Sequence, residues 1–102
     1  MKEFEIYIPL HYNDGSRIED ARILALKKRL IEEFGGLTVF PQQNEGTWQV
    51  GTFTFREKII IARVLSVESR RVSLFFEKLK KKMQKDFGQS EVLIVSRTVE
   101  VV

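Results

Sequence analysis

Hydrophobic and polar positions alternate from Glu3 to Leu10. Phe4, Ile6, Ile8 and Leu10 fall on one side and Glu3, Glu5 and Tyr7 on the other, the period-two pattern of a half-buried strand. Pro9 marks where pairing ends, and Asn13-Asp14-Gly15 supplies turn chemistry. Ser16 with Glu19 three residues on reads as a capping box opening a helix. The stripe Ile23, Leu26, Leu30 and Phe34, widened by Leu24 and Ile31, carries that helix from about Arg17 to Phe34. Gly35-Gly36 then offers a left-handed C-cap. Lys27, inside the apolar arc, reads as an aliphatic stem whose amine reaches water.

Leu37 to Phe40 is a short second strand closed by Pro41 and followed by a polar loop, Gln42 to Gly46. Gly51 to Leu65 is the longest extended stretch, and the run Ile59-Ile60-Ile61 marks it as a central strand. These two strands are expected to pair across a loop carrying Asn44-Glu45-Gly46 and Trp48. A second helix begins near Ser66 or Ser69, places Val72, Phe75, Phe76, Leu79, Met83 and Phe87 on one arc, and ends at Gly88. Glu91 to Val101, rich in β-branched residues, is the last strand.

The order β-α-β-β-α-β with two amphipathic helices predicts an α+β, ferredoxin-like sandwich. It would be one domain over residues 1–102, with a four-stranded antiparallel sheet and both helices on one face. The first and third strands are expected at its centre, running parallel to each other. Ile60, Ala62 and Val64 are assigned to the helix side. The open face then carries Tyr7, Phe53, Phe55, Ile59 and Ile61 beside Glu57 and Arg63, more apolar than a solvated face.

Composition narrows the chemistry. The chain has no cysteine, which removes thiolate catalysis, disulfides and Cys-based zinc sites. Its start, Met1-Lys2-Glu3-Phe4-Glu5, is not that of a secretory signal, so a cytoplasmic location without membrane association is expected. The net charge is +3, and the segment Arg70 to Lys85 alone carries +6. Its run Lys78-Leu79-Lys80-Lys81-Lys82 could meet phosphates or acidic lipid, but a solvated helix face complementing the helix dipole is the simpler reading. His11 is the only histidine, and no carboxylate cluster accompanies it, so neither a metal nor another cofactor is expected. With parallel central strands, a His11/Glu57 acid-base pair fails, because Glu57 would lie ~26 Å from the matching strand end.

Three uses of the surface compete. Burial of the open face against a second copy is the simplest, a homodimer closed through Tyr7, Phe53, Phe55 and Arg63. The same aromatics suit an RNA platform, since Ile6-Tyr7-Ile8-Pro9-Leu10 and Gly51-Thr52-Phe53-Thr54-Phe55 partly match the two motifs of RNA recognition modules. The basic lead residue of the longer motif is absent, and its first aromatic is one place late. A third use is a small-ligand pocket where Trp48 supplies an apolar wall and Thr38, Arg56 and Glu57 supply polar groups. An enzyme would use Glu57 there as general base with Arg56 as its electrostatic partner.

The segments Gly36-Leu37-Thr38, Gly46-Thr47-Trp48 and Arg56-Glu57 form a Gly-Leu-Thr, Gly-x-Trp, Arg-Glu pattern ahead of an apolar strand. In this middle third the chain resembles a family of small uncharacterised bacterial proteins, many of which carry a secretion signal, which is not expected here from the start of the sequence. The resemblance implies a ferredoxin-like fold and a site around these segments, without naming an activity. The combined expectation is a binding or accessory domain that self-associates through its sheet and holds a small ligand near Trp48 and Glu57.

Overall fold

A computed structural model describes the backbone of residues 1–102 and all side chains other than those of Trp48, Val50 and Phe55. The elements are β1 (Lys2–Pro9), α1 (Asp20–Phe34), β2 (Thr38–Val50), β3 (Phe53–Ser66), α2 (Arg70–Asp86) and β4 (Ile94–Thr98). They form a ferredoxin-like sandwich with sheet order β2-β3-β1-β4. Phe4, Ile6 and Ile8 of β1 and Ile60, Ala62 and Val64 of β3 share one sheet face, where they pack with Ile23, Leu26 and Leu30 of α1 and Val72, Phe76, Leu79 and Met83 of α2. The assignment of Ile60, Ala62 and Val64 to the helix side therefore holds.

β1 and β3 are central, but they run antiparallel: Lys2 pairs with Ser66 and Pro9 with Ile59. The parallel arrangement expected from the sequence is wrong. β2 and β3 are joined by a tight turn and so run oppositely, while the crossover through α1 makes β1 parallel to β2, so β3, lying between them, opposes both.

The entry to α1 also differs from expectation. Ser16 does not cap the helix; its amide and hydroxyl both donate to the Asp14 carboxylate, at 2.8 and 2.5 Å. Residues 17 and 18 instead lie extended against the end of β1, through a bridge between His11 and Arg17 and a bond from the Ile18 amide to the Leu10 carbonyl of 2.9 Å. Burial of Ile18, 0% exposed, competes with the capping box and wins. The helix starts three residues late, at Asp20. Its end follows the sequence, with Gly35 at φ 76° donating to the Ile31 carbonyl at 2.7 Å. In α2, Ser69 is the N-cap, accepting from the Val72 amide at 3.2 Å.

The largest departure is β2. Gln42 to Gly46 is no loop: the strand continues through a register irregularity between Phe40 and Asn44 and pairs with β3 as far as Val50 opposite Phe53. The extra residues at that irregularity include Pro41, which has no amide to donate to a ladder. The hairpin turn lies at Gly51-Thr52, where Gly51 has φ 61°. β2 and β3 thus extend past the helices as a two-stranded arm. β4 is shorter than expected, starting at Ile94 instead of Glu91.

Candidate ligand-binding hollow on the open sheet

The face of the sheet away from the helices has two regions. Towards the start of β1 the register sets Glu3 against Leu65 and Arg97, and Glu5 against Arg63 and Val95. Oppositely charged side chains on neighbouring strands pair there. Arg63 lies 3.6 Å from Glu3 and over the Phe40 ring, and Arg97 lies 3.7 Å from Glu3 and 2.9 Å from Glu5. The Tyr7 hydroxyl donates to Glu5 at 3.4 Å. This part is a polar network, unlike the apolar face expected.

Towards the end of β1 the character changes. Strand alternation sets Tyr7 and Pro9 of β1 beside Ile59 and Glu57 of β3, because Pro9 is the register partner of Ile59. β4 begins only at Ile94, and Tyr7 instead donates its amide to the Leu93 carbonyl at 3.0 Å. The segment Glu91-Val92-Leu93 therefore forms a wall where a fourth strand would have filled the space. With Gly46 and Thr47 of β2, these residues line a hollow of about 420 Å³, within the size range of small-molecule sites.

Glu57 is the chemically informative group. Its carboxyl is half-buried, and burial pushes its pKa above the usual glutamate value. No hydrogen bond or ion pair reaches it among the described residues. Protonation is thereby favoured in the fold, which gives a signed expectation for stability. Both states are protonated well below 4.5, the ordinary value. As pH rises the unfolded chain ionises first, so stability is lost between that value and the raised folded pKa. Glu57→Gln removes this loss. Denaturant titrations are expected to show the variant more stable than the wild type at neutral pH, with the gap closing near pH 4; a gap independent of pH contradicts the assignment.

The other residues singled out in the sequence are dispersed. Arg56 is exposed and, as the neighbour of Glu57 on a strand, points to the opposite sheet face, so it cannot be the electrostatic partner of that carboxylate. Thr38 pairs with Arg63 and borders a separate hollow with Gly35 to Leu37. Six residues of β3 separate it from Glu57, about 20 Å along the strand. Arg63 belongs to the ionic network. The apolar wall expected of Trp48 and the open-face role of Phe55 lie outside the described residues. Gly46 and Thr47 of the Gly-x-Trp segment do meet Arg56-Glu57 across the hairpin, Gly46 opposite Glu57 and Thr47 opposite Arg56. The Gly-Leu-Thr segment does not join them.

The antiparallel register also revises His11. Two residues beyond Pro9, it lies at the same end of the sheet as Glu57, two residues before Ile59. The separation expected between them does not exist, although no bond joins their side chains among the described residues. Pro9, Ile59 and Glu91 to Leu93 were not recognised in the sequence as site residues. Their role depends on where β4 begins, and no local signal distinguishes Glu91-Val92-Leu93 from the strand that follows.

For RNA, the geometry is unfavourable. Phe53 sits beside the hairpin turn, 71% exposed, and lies eight residues from Ile61, the register partner of Tyr7. That is about 26 Å along β3, too far for the two rings to stack neighbouring bases, and Glu5 adjoins Tyr7. Among the described residues no cluster of His, Asp or Glu could hold a metal ion, and no helix is long and apolar enough to cross a membrane.

No family model and no curated protein matches the chain. Among solved structures it is similar to a phage SAM lyase in its apo state, with a TM-score of 0.69 and 12% identity over 94% of this chain and 78% of that one. It is likewise similar to a phage SAM lyase in complex with S-methyl-5'-thioadenosine, with a TM-score of 0.65 and 15% identity over 94% and 79% of the two chains. CutA1 from Pyrococcus horikoshii OT3 matches with a TM-score of 0.62 and 13% identity over 100% and 86%. At these identities the likeness is one of fold.

Proposed function

We propose that this chain is a small-ligand-binding domain that self-associates through its sheet, with the hollow around Glu57 as the binding site. The observation that carries this reading is the half-buried Glu57 carboxyl, set among Tyr7, Pro9, Ile59, Val92 and Leu93 without a counter-charge among the described residues. A cationic group on a ligand offsets the desolvation that raises its pKa. The apolar walls and the tyrosine favour a flat ligand with apolar surface. The position of Gly46, Thr47 and Glu57 on the rim supports a site at two of the three segments on which the resemblance to a bacterial family rests.

A related fold binding S-methyl-5'-thioadenosine suggests the first probes. That compound is neutral at sulfur, whereas SAM carries a sulfonium cation. Calorimetric titration is expected to show SAM binding more tightly than S-methyl-5'-thioadenosine. Glu57→Gln is expected to weaken SAM on the order of 10- to 100-fold, the worth of one buried charge contact, while changing the neutral compound little. Failure of both compounds to bind at millimolar concentration, or equal effects of the substitution on both, contradicts this choice of ligand.

A second reading draws on the raised pKa of Glu57, which suits a general base. It proceeds without Arg56, which faces away. Chromatography separates the two readings: an enzyme converts a bound probe with time and loses that conversion in Glu57→Gln, whereas a binding domain returns the probe unchanged.

A further inference from the structure

We propose that the hollow around Glu57 selects a diamine-like ligand, one with two positive centres and no carboxylate, and that Glu91 meets the second of those centres. The inference rests on the hollow being a ligand site and specifies the class of ligand it takes.

Glu57 is not alone at the hollow, because Glu91 lines it from the other side of β1. Backbone bonds fix where the two acids stand. On one flank Pro9 pairs with Ile59 and the Leu10 amide donates to the Lys58 carbonyl at 3.0 Å, which keeps β3 beside the chain up to Glu57. On the other flank the Tyr7 amide donates to the Leu93 carbonyl at 3.0 Å, which holds the segment from Glu91 to Leu93 against the same strand. Val92 is buried in the core, whereas Leu93 is 56% exposed. Glu91, alternating with Val92, therefore shares the open side with Leu93 and Glu57. Two strand spacings, about 10 Å, separate the backbones that carry the two acids.

Charge then sets the ligand class. No lysine or arginine lines the hollow among the described residues. Arg63 and Arg97, on the same sheet face, are engaged with Glu3 and Glu5. Arg56 and Lys58 alternate with Glu57 along β3 and so lie on the opposite face. His11, the one histidine, does not line the hollow either. A ligand carboxylate would enter between two acids with no cation to receive it, beside the apolar surface of Pro9 and Ile59, where screening by water is reduced. A ligand cation is attracted by both acids. Glu91 is exposed, so its share is that of a partly screened pair and smaller than that of Glu57. Each acid ends a side chain of two methylenes, and cationic centres three or four methylenes apart match the gap left between them.

Three adenosyl compounds that differ in charge test this. SAM carries a sulfonium, an ammonium and a carboxylate; its decarboxylated analogue keeps both cations and loses the carboxylate; S-methyl-5'-thioadenosine is neutral. Calorimetric titration of the full chain is expected to give the decarboxylated analogue an affinity about 10-fold above that of SAM. Glu91→Gln is expected to weaken the analogue about 3- to 5-fold and to leave S-methyl-5'-thioadenosine unchanged. Glu91→Lys, shown by circular dichroism to be folded, is expected to invert the order of SAM and its analogue, because the new ammonium pairs with the carboxylate and repels the second cation. If none of the three compounds binds at millimolar concentration, the ligand site and the inference fall together. If SAM binds with the dependence on Glu57 expected above, but the analogue binds no tighter or Glu91→Lys leaves the order unchanged, the inference falls and the site stands. A Glu91→Gln effect equal on the charged and neutral compounds likewise overturns the inference alone.

Discussion

Replacing Phe76 by alanine is expected to lower the unfolding free energy by about 3–5 kcal/mol, the usual effect of deleting a buried aromatic ring. Phe76 joins both helices to the sheet. Its ring stacks on Phe4 of β1 with centroids 4.0 Å apart, lies 5.4 Å from Phe34 at the end of α1, and meets Phe75 edge-on at 5.3 Å. The ring thus joins α2 to both β1 and α1, so the cavity left by alanine cannot collapse from one side alone. Domains of this size unfold with about 5–15 kcal/mol in hand, so the variant should melt on the order of 15–30 °C lower. Chemical denaturation read by near-ultraviolet circular dichroism checks the value. A loss below about 1 kcal/mol means that the contacts of Phe76 with Phe4 and Phe34 do not hold α2 to the sheet and to α1.

The second large effect is expected at Ile18. As the second residue of a helix starting at Arg17, which the sequence suggests, it would sit in a frayed first turn, and alanine there would change stability little. The structure buries it completely, in an extended segment whose amide bonds to Leu10. Ile18→Ala is therefore expected to lower stability by about 2–4 kcal/mol. Hydrogen exchange at the Ile18 amide supplies an independent check, because the bond to Leu10 should slow it. A neutral substitution with a fast-exchanging amide restores the longer helix.

The contrast at Ile18 is instructive for the whole chain. A capping box is a local signal worth about 1 kcal/mol, whereas burying an isoleucine contributes about 1.5–3 kcal/mol. When the two compete, burial decides, and burial depends on which parts of the chain come together. The same competition governs Gln42 to Gly46. Polar composition suggests a loop, but each residue from Asn44 to Val50 has a partner on β3, and the ladder extends wherever backbone groups pair, irrespective of polarity. Other local signals behaved as read, Ser69 being one of the two starts that the sequence offers for α2. Ser69 caps α2, Gly35 takes the left-handed conformation, and the alternation of β1 sends Phe4, Ile6 and Ile8 to the core.

The candidate site was legible only in part. Glu57 stood out as an acid within an apolar strand, and Tyr7 as an aromatic on the open face of β1. Their convergence was not readable, since it follows from the antiparallel pairing of Pro9 with Ile59 and from the late start of β4. The supposed partnership of Arg56 with Glu57 was an inference from adjacency in sequence, which on a strand places two side chains on opposite faces. Thr38 looked close through the shared pattern, yet it lies beside Arg63, about 20 Å along the sheet from Glu57.

What the sequence by itself determined is the number, order and type of the elements, the helix-facing residues of the sheet and the αβ class, because hydrophobic periodicity and caps act over a few residues. Tertiary structure alone decided the antiparallel centre, the length of the β2–β3 arm, the burial of Ile18 and the assembly of the hollow around Glu57. The antiparallel centre and the hollow depend on pairings between residues dozens of positions apart, the arm and the Ile18 segment on backbone partners 3 to 15 positions away, and in each case the free energy comes from burial and ladder bonds that exist only once the chain has folded.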